Sequence, residues 1–178
     1  MEKEEYAIVL DYLPHGYPLE GKMISIAQAI GEMHLVLLEL IPRRGVSLEV
    51  GEKVYIGEGK RDKIYYILGK LKKDKITESS KEQLHTIIGK IVKEKEEEFV
   101  NFFNKSESIN KRIHQIELLP GLGKKYMKEI LEQRNINAFK SFEDIKKRIQ
   151  NLPFPEKAIE KRIFQELISD ERHKLFTH

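Results

Sequence analysis

Neither cysteine nor tryptophan occurs among the 178 residues. Without cysteine there is no disulfide, no thiolate metal ligand and no thiol nucleophile. Long apolar runs are also missing, and none approaches the roughly 18–20 residues that a membrane span needs. The opening MEKEEY is acidic and lacks the basic-then-apolar build of a secretory signal. The six histidines, His15, His34, His85, His114, His173 and His178, show no metal-ligand spacing. No phosphate-loop NTPase pattern or nucleophile elbow is present. These absences predict a cytoplasmic protein with no membrane partner, no metal, no cofactor and no enzymatic activity.

Forty per cent hydrophobic and 34 per cent charged residues describe a globular chain rather than a disordered one. The abundance of Lys and Glu hints at a thermophilic source. A net charge of +3 is too small to name a partner, but it is unevenly spread. Residues 1–76 carry twelve basic and twelve acidic side chains, residues 77–105 five and six, and residues 106–178 fifteen and eleven. The basic excess therefore lies in the last segment, as expected of a phosphate binder.

The same three segments differ in pattern, and the expected class is α+β. In residues 1–76, YAIVLDYL (6–13), MISIAQAIG (23–31), HLVLLELI (34–41), EKVYIG (52–57) and KIYYILGKL (63–71) read as five short strands. Five strands in so short a stretch suggest a small closed barrel, OB-like or SH3-like, since closure removes exposed edges. In residues 77–105, a capping-box pattern at Ser80 and Gln83 precedes apolar residues at helical spacing from Leu84 to Phe103. They predict one connecting helix of about 24 residues, near 36 Å long. Its acidic run, Glu94 to Glu98, is expected to face solvent rather than a metal. Residues 106–178 read as an all-α domain of short helices. Ile109, Ile113 and Ile116 share a face; Ser141 to Asp144 form a capping box; Pro155 takes a first helical position.

Between two of those helical patterns stands LPGLGKK (119–125). Pro120 stops the preceding segment, while Gly121 and Gly123 permit close approach of another molecule. The amides that open the next helix are unpaired and lie at the positive end of its dipole, which suits an anion. Lys124 and Lys125 in that first turn oppose the dipole, so a plain turn would gain more from Asp or Glu.

Leu119, Pro120, Gly121, Leu122, Gly123 and Lys125 resemble the helix-hairpin-helix pattern, with Met127 where that family usually has alanine. The resemblance implies nucleic-acid contacts at Leu119, Pro120, Gly121, Leu122, Gly123, Lys124, Lys125 and Lys128. Aligning Met127 with Ile159 and Leu131 with Ile163 makes 151–167 a second copy. Its Pro153 and Pro155 have no amide to offer, leaving Lys157, Lys161 and Arg162 for weak charge contacts. Arg43, Arg44, Lys60, Arg61 and Lys63 are secondary candidates in the first segment. A barrel, a helix and a tandem helix-hairpin-helix together resemble an archaeal family, domain of unknown function 655, usually described as predicted RNA-binding proteins. That resemblance covers nearly the whole chain and implies RNA or DNA as partner, with a possible protein partner in the translation or transcription machinery.

Two rival readings remain. Helix-hairpin-helix base-excision glycosylases place a catalytic lysine where Lys125 stands, but they need a downstream aspartate, and Glu143 and Asp144 belong to the capping box. The third reading is a protein–protein scaffold presenting Phe99, Phe102 and Phe103.

Overall fold

In a computed structural model describing residues 3–178, the chain forms five strands followed by five α-helices. The strands are β1 (Tyr6–Leu13), β2 (Ile26–Gly31), β3 (Leu37–Pro42), β4 (Lys53–Tyr55) and β5 (Ile64–Lys70). The helices are α1 (Glu78–Glu94), α2 (Glu96–Lys105), α3 (Lys124–Ile136), α4 (Phe142–Arg148) and α5 (Pro155–Ile168). Two compact units result. One holds the described residues up to Ile87 together with Glu166–His178, the other Ile88–Gln165.

The expected strands are all present, but the expected closed barrel, OB-like or SH3-like, is not. The sheet is open, in the order β4-β1-β2-β3-β5, and every neighbouring pair is antiparallel. β4 opposes β1 and β5 opposes β3, so the two edge strands run in the same direction. Closing an all-antiparallel ladder between them is therefore impossible. Instead, residues from both edges line a cavity of about 780 Å³ that includes Tyr55, Ile56, Arg61 and Ile67. Nor is the sheet unit a purely N-terminal domain followed by a separate helical one. It takes in the C-terminal residues from Glu166 and the first part of α1.

One face of the sheet is lined by Ala7, Val9, Ala27, Ala29, Leu38 and Leu40, at period 2 along each strand. Small alanines let that face curl inward. Register shifts in β1 (between Val9 and Asp11) and twice along the β3–β5 pair add bends. On the other face Gln28 is fully buried and fully used. Its amide donates to the Tyr17 hydroxyl (3.1 Å) and Lys75 O (2.7 Å), and its carbonyl accepts from Thr77 N (3.1 Å) and Ser80 Oγ (2.7 Å). Tyr17 in turn donates to Glu39, and its burial, reinforced by that carboxylate, pushes its hydroxyl pKa well above the usual tyrosine value.

That network also moves the start of α1. Thr77, not Ser80, caps the helix: its hydroxyl accepts from Ser80 N at 3.1 Å, which frees the Ser80 hydroxyl for Gln28. The single connecting helix is likewise divided, because Lys95 leaves helical geometry (φ −106°, ψ 34°) and α2 restarts with three glutamates in its first turn. Glu96 is not idle there, since it accepts from Phe142 N, at the start of α4, at 2.9 Å. Phe99 and Phe103 are buried, and Phe102 packs edge-on against Phe103.

Candidate functional site

The hairpin at 119–125 lies in the helical unit, and its lead-in is not the expected helix over Ile109–Ile116. Residues 107–114 are bends closed by a bridge between Ser108 and His114, followed by one 3-10 turn, Gln115–Leu118. His114 starts that turn. Its Nδ1 accepts from Ile116 N (3.1 Å), and Glu117 accepts from His114 N (2.8 Å). Burial, assisted by the nearby Arg134 guanidinium, holds the His114 pKa below its ordinary value, which keeps Nδ1 free to accept.

Leu119 and Leu122 fix the hairpin from below, both essentially fully buried. Between them Pro120 and Gly121 form the turn, with Leu122 N donating back to Leu119 O at 3.1 Å. Gly121 has φ +84°, a conformation that a side chain strains. Gly123 is the N-cap of α3, and no side chain among the described residues caps that helix. Its first amides thus have no intrahelical acceptor. No described atom lies within 4 Å of a Cβ built on Gly123, so this face of the loop is open.

The first turn of α3 carries no acidic residue, whereas those of α1, α2, α4 and α5 all do. Lys124, Lys125 and Lys128 are exposed, and none forms an ion pair among the described residues. The opposite end of α3 is covered. Arg148 donates to the carbonyls of Gln133 and Asn137, and its guanidinium lies 4.5 Å from the Phe139 ring centroid. Arg134 similarly donates to Phe103 O and Ser106 O at the end of α2.

A second hairpin stands beside the first. Pro153 Cγ lies 3.8 Å from where a Gly121 Cβ would be, and Tyr126, in the first turn of α3, donates to Asn151 O at 2.7 Å. α5 begins at Pro155 as α3 begins at Lys124, so Pro155 matches Lys124 and not Gly123. The positive φ falls on Asn151, four residues before its helix, while Gly121 is three before. The second loop is thus one residue longer, which the sequence alignment could not see. Phe154 occupies the position of Gly123. It is exposed and stacked under the Lys146 ammonium, 4.2 Å from the ring centroid. Lys157 is paired with Glu160 at 2.9 Å, Lys161 is exposed, and Arg162 is buried away from solvent.

The remaining candidates lie in the sheet unit. Arg43 N donates to Lys63 O and Arg43 Nε to Arg61 O, both at 2.8 Å, so the two basic turns are stitched together. Arg61 Nε donates to Gly57 O, Lys63 pairs with Glu52, and Arg44 and Lys60 are exposed. Sequence reasoning passed over Tyr65 and Tyr66, which follow these turns. No cluster of His, Asp or Glu able to hold a metal, and no helix long and apolar enough to cross a membrane, occurs among the described residues.

The chain is similar throughout to archaeal proteins that have no assigned activity. An uncharacterised protein of Methanocaldococcus jannaschii is 43% identical over 173 residues, covering 97% of this chain and 78% of that one. A crystal structure from Archaeoglobus fulgidus, itself described by the same family model, superposes with a TM-score of 0.87 at 42% identity, covering 98% of this chain and all of that one. The model of the family described as "Protein of unknown function (DUF655)" matches residues 3–178, and the chain belongs to that family.

Proposed function

We propose that this protein binds nucleic acid, RNA foremost, by cradling a backbone phosphate on the hairpin 119–125, used as a helix-hairpin-helix. The observation that carries the reading is the start of α3: uncapped, free of acidic residues, entered through glycines and followed by unpaired Lys124, Lys125 and Lys128. A purely structural turn gains nothing from that combination, because cations in a first turn work against the helix dipole. A phosphate reverses the sign: it accepts from the open amides and neutralises the lysines. Such contacts position a strand without reading its sequence. The second hairpin supports the first rather than copying it, since Pro153 and Pro155 have no amide hydrogen.

Anisotropy titrations of labelled RNA and DNA oligonucleotides across a salt series test this. Log affinity falls linearly with log salt, with a slope set by only a few phosphates. The double change Gly121→Ala, Gly123→Ala cuts affinity severely, whereas Pro153→Ala with Pro155→Ala costs little binding. Absence of binding to any oligonucleotide at low salt removes the reading.

A further inference from the structure

The edge strand β5 presents a surface the hairpin does not explain. Edge strands are ordinarily blunted by charge, yet Tyr65 is 62% and Tyr66 43% exposed, side by side. Simple alternation would send one of two consecutive side chains inward. The register shift prevents it: Tyr66 pairs with Ile41 and Ile64 with Pro42, which leaves Tyr65 as the extra residue of a bulge. Bulges of this kind re-aim side chains. The two rings meet edge to face at a centroid distance of 5.4 Å, so each steadies the other while keeping open area.

Charge around this ledge is predominantly positive. The basic turns joined through Arg43 meet at the start of β5 and carry Arg43, Arg44, Lys60 and Arg61 against Asp62. Lys63 is neutralised by Glu52, and Glu58 by Lys3. Exposed aromatic faces beside unneutralised cations suit a polyanion whose planar groups are free to stack. We propose that the Tyr65–Tyr66 ledge stacks unpaired bases of single-stranded nucleic acid while Arg43, Arg44, Lys60 and Arg61 hold the flanking phosphates. The inference rests on the reading that the protein binds nucleic acid. It adds a site on the sheet and a preference for strands whose bases are not paired, because a duplex hides its base faces.

The lack of tryptophan supplies a clean test. In the full chain, Tyr65→Trp introduces a single indole, which is titrated with oligouridylate, oligothymidylate and a duplex of equal length. Saturable quenching by both single strands and none by the duplex is expected. Tyr65→Ser with Tyr66→Ser should lower single-strand affinity about tenfold, while a cooperative melt well above the assay temperature shows that the variant is folded. If strands bind by anisotropy but leave the indole emission unchanged and the double serine variant binds normally, the ledge proposal is overturned while the hairpin reading stands. Quenching that persists in the Gly121→Ala, Gly123→Ala variant at undiminished affinity supports the ledge and overturns the hairpin. Equal quenching by the duplex overturns the ledge, as does an indole signal that depends on protein concentration and not on oligonucleotide.

Discussion

Replacing Gly123 by aspartate should make the protein more stable and a worse binder at once. The backbone there (φ −84°, ψ −169°) suits any residue, and a new Cβ meets no described atom within 4 Å. An N-cap aspartate accepts from the amides of the first turn of α3, a gain over glycine of about a few tenths of a kcal/mol. Its charge at the helix N-terminus, beside Lys124 and Lys125, adds about 0.3–1 kcal/mol. Together these raise the melting temperature of the whole chain by about 1–6 °C. The same carboxylate occupies the amides a phosphate requires and repels it, so affinity should fall about tenfold or more, the equivalent of about 1.4 kcal/mol. The salt slope should lose the share of one phosphate, roughly 0.7–0.9. Gly121 is a less clean site, because alanine at φ +84° adds strain of about 1–2 kcal/mol that blurs binding with folding. Calorimetry and anisotropy on the Gly123→Asp protein decide the matter. A stabilised variant with undiminished affinity would show that the loop is only a turn.

His114 should make stability fall in mild acid. Its pKa is lowered in the folded state, so below about pH 6.5 the unfolded chain takes up a proton that the folded chain resists, and stability drops as pH falls through that window. Urea melts at about pH 7.5 and about pH 5.5, on either side of the ordinary histidine pKa, should differ less in His114→Gln than in the wild type. Arg148→Met, which uncovers the carbonyls of Gln133 and Asn137, should cost about 2–3 kcal/mol in the same assay. Lys125→Ala should weaken oligonucleotide binding a few fold and abolish no chemistry. A borohydride-trapped adduct between the wild type and abasic DNA through Lys125 would instead revive a glycosylase mechanism.

Strand positions were legible because β-branched and aromatic runs between turn residues need no knowledge of what lies opposite them. Closure was not legible, since it depends on whether β4 and β5 pair with each other, and only the strand order shows that they stand at opposite edges. The start of α1 was misplaced for a similar reason. Ser80 looks like a cap by local pattern, but a buried Gln28, 52 residues away in sequence, takes its hydroxyl. The hairpin motif was visible through Pro120 and its two glycines, yet the lead-in helix dissolved into bends and one 3-10 turn. Isoleucines at 109, 113 and 116 have helical spacing, and only Ile116 is buried. Tyr65 and Tyr66 were hidden by their own context: within an apolar strand pattern they pass for core until a bulge turns them outward.

The inequality of the two hairpins bears on how many phosphates one chain could hold. Both loops end on a helix N-terminus, and Tyr126 beside the first donates to Asn151 O of the second. Their chemistry nevertheless diverges at the helix start. One offers glycine with open amides and free lysines; the other offers Phe154 and Pro155, with Lys157 already held by Glu160 and Arg162 buried. A proline at the first helical position removes a donor that would otherwise be unsatisfied, so the start of α5 offers one amide fewer than the start of α3. Under the phosphate reading, the helical unit then contributes one amide-bound phosphate plus whatever Lys124, Lys125 and Lys128 neutralise. A salt slope near that of one to four contacts is expected for it, and the basic turns around Arg43 would add their own contacts to the slope of the whole chain. Replacing Arg43, Arg44, Lys60 and Arg61 together by glutamine should therefore make the measured slope shallower while leaving the share lost in Gly123→Asp unchanged, and a slope that the four changes do not alter would remove the basic turns from the contacts.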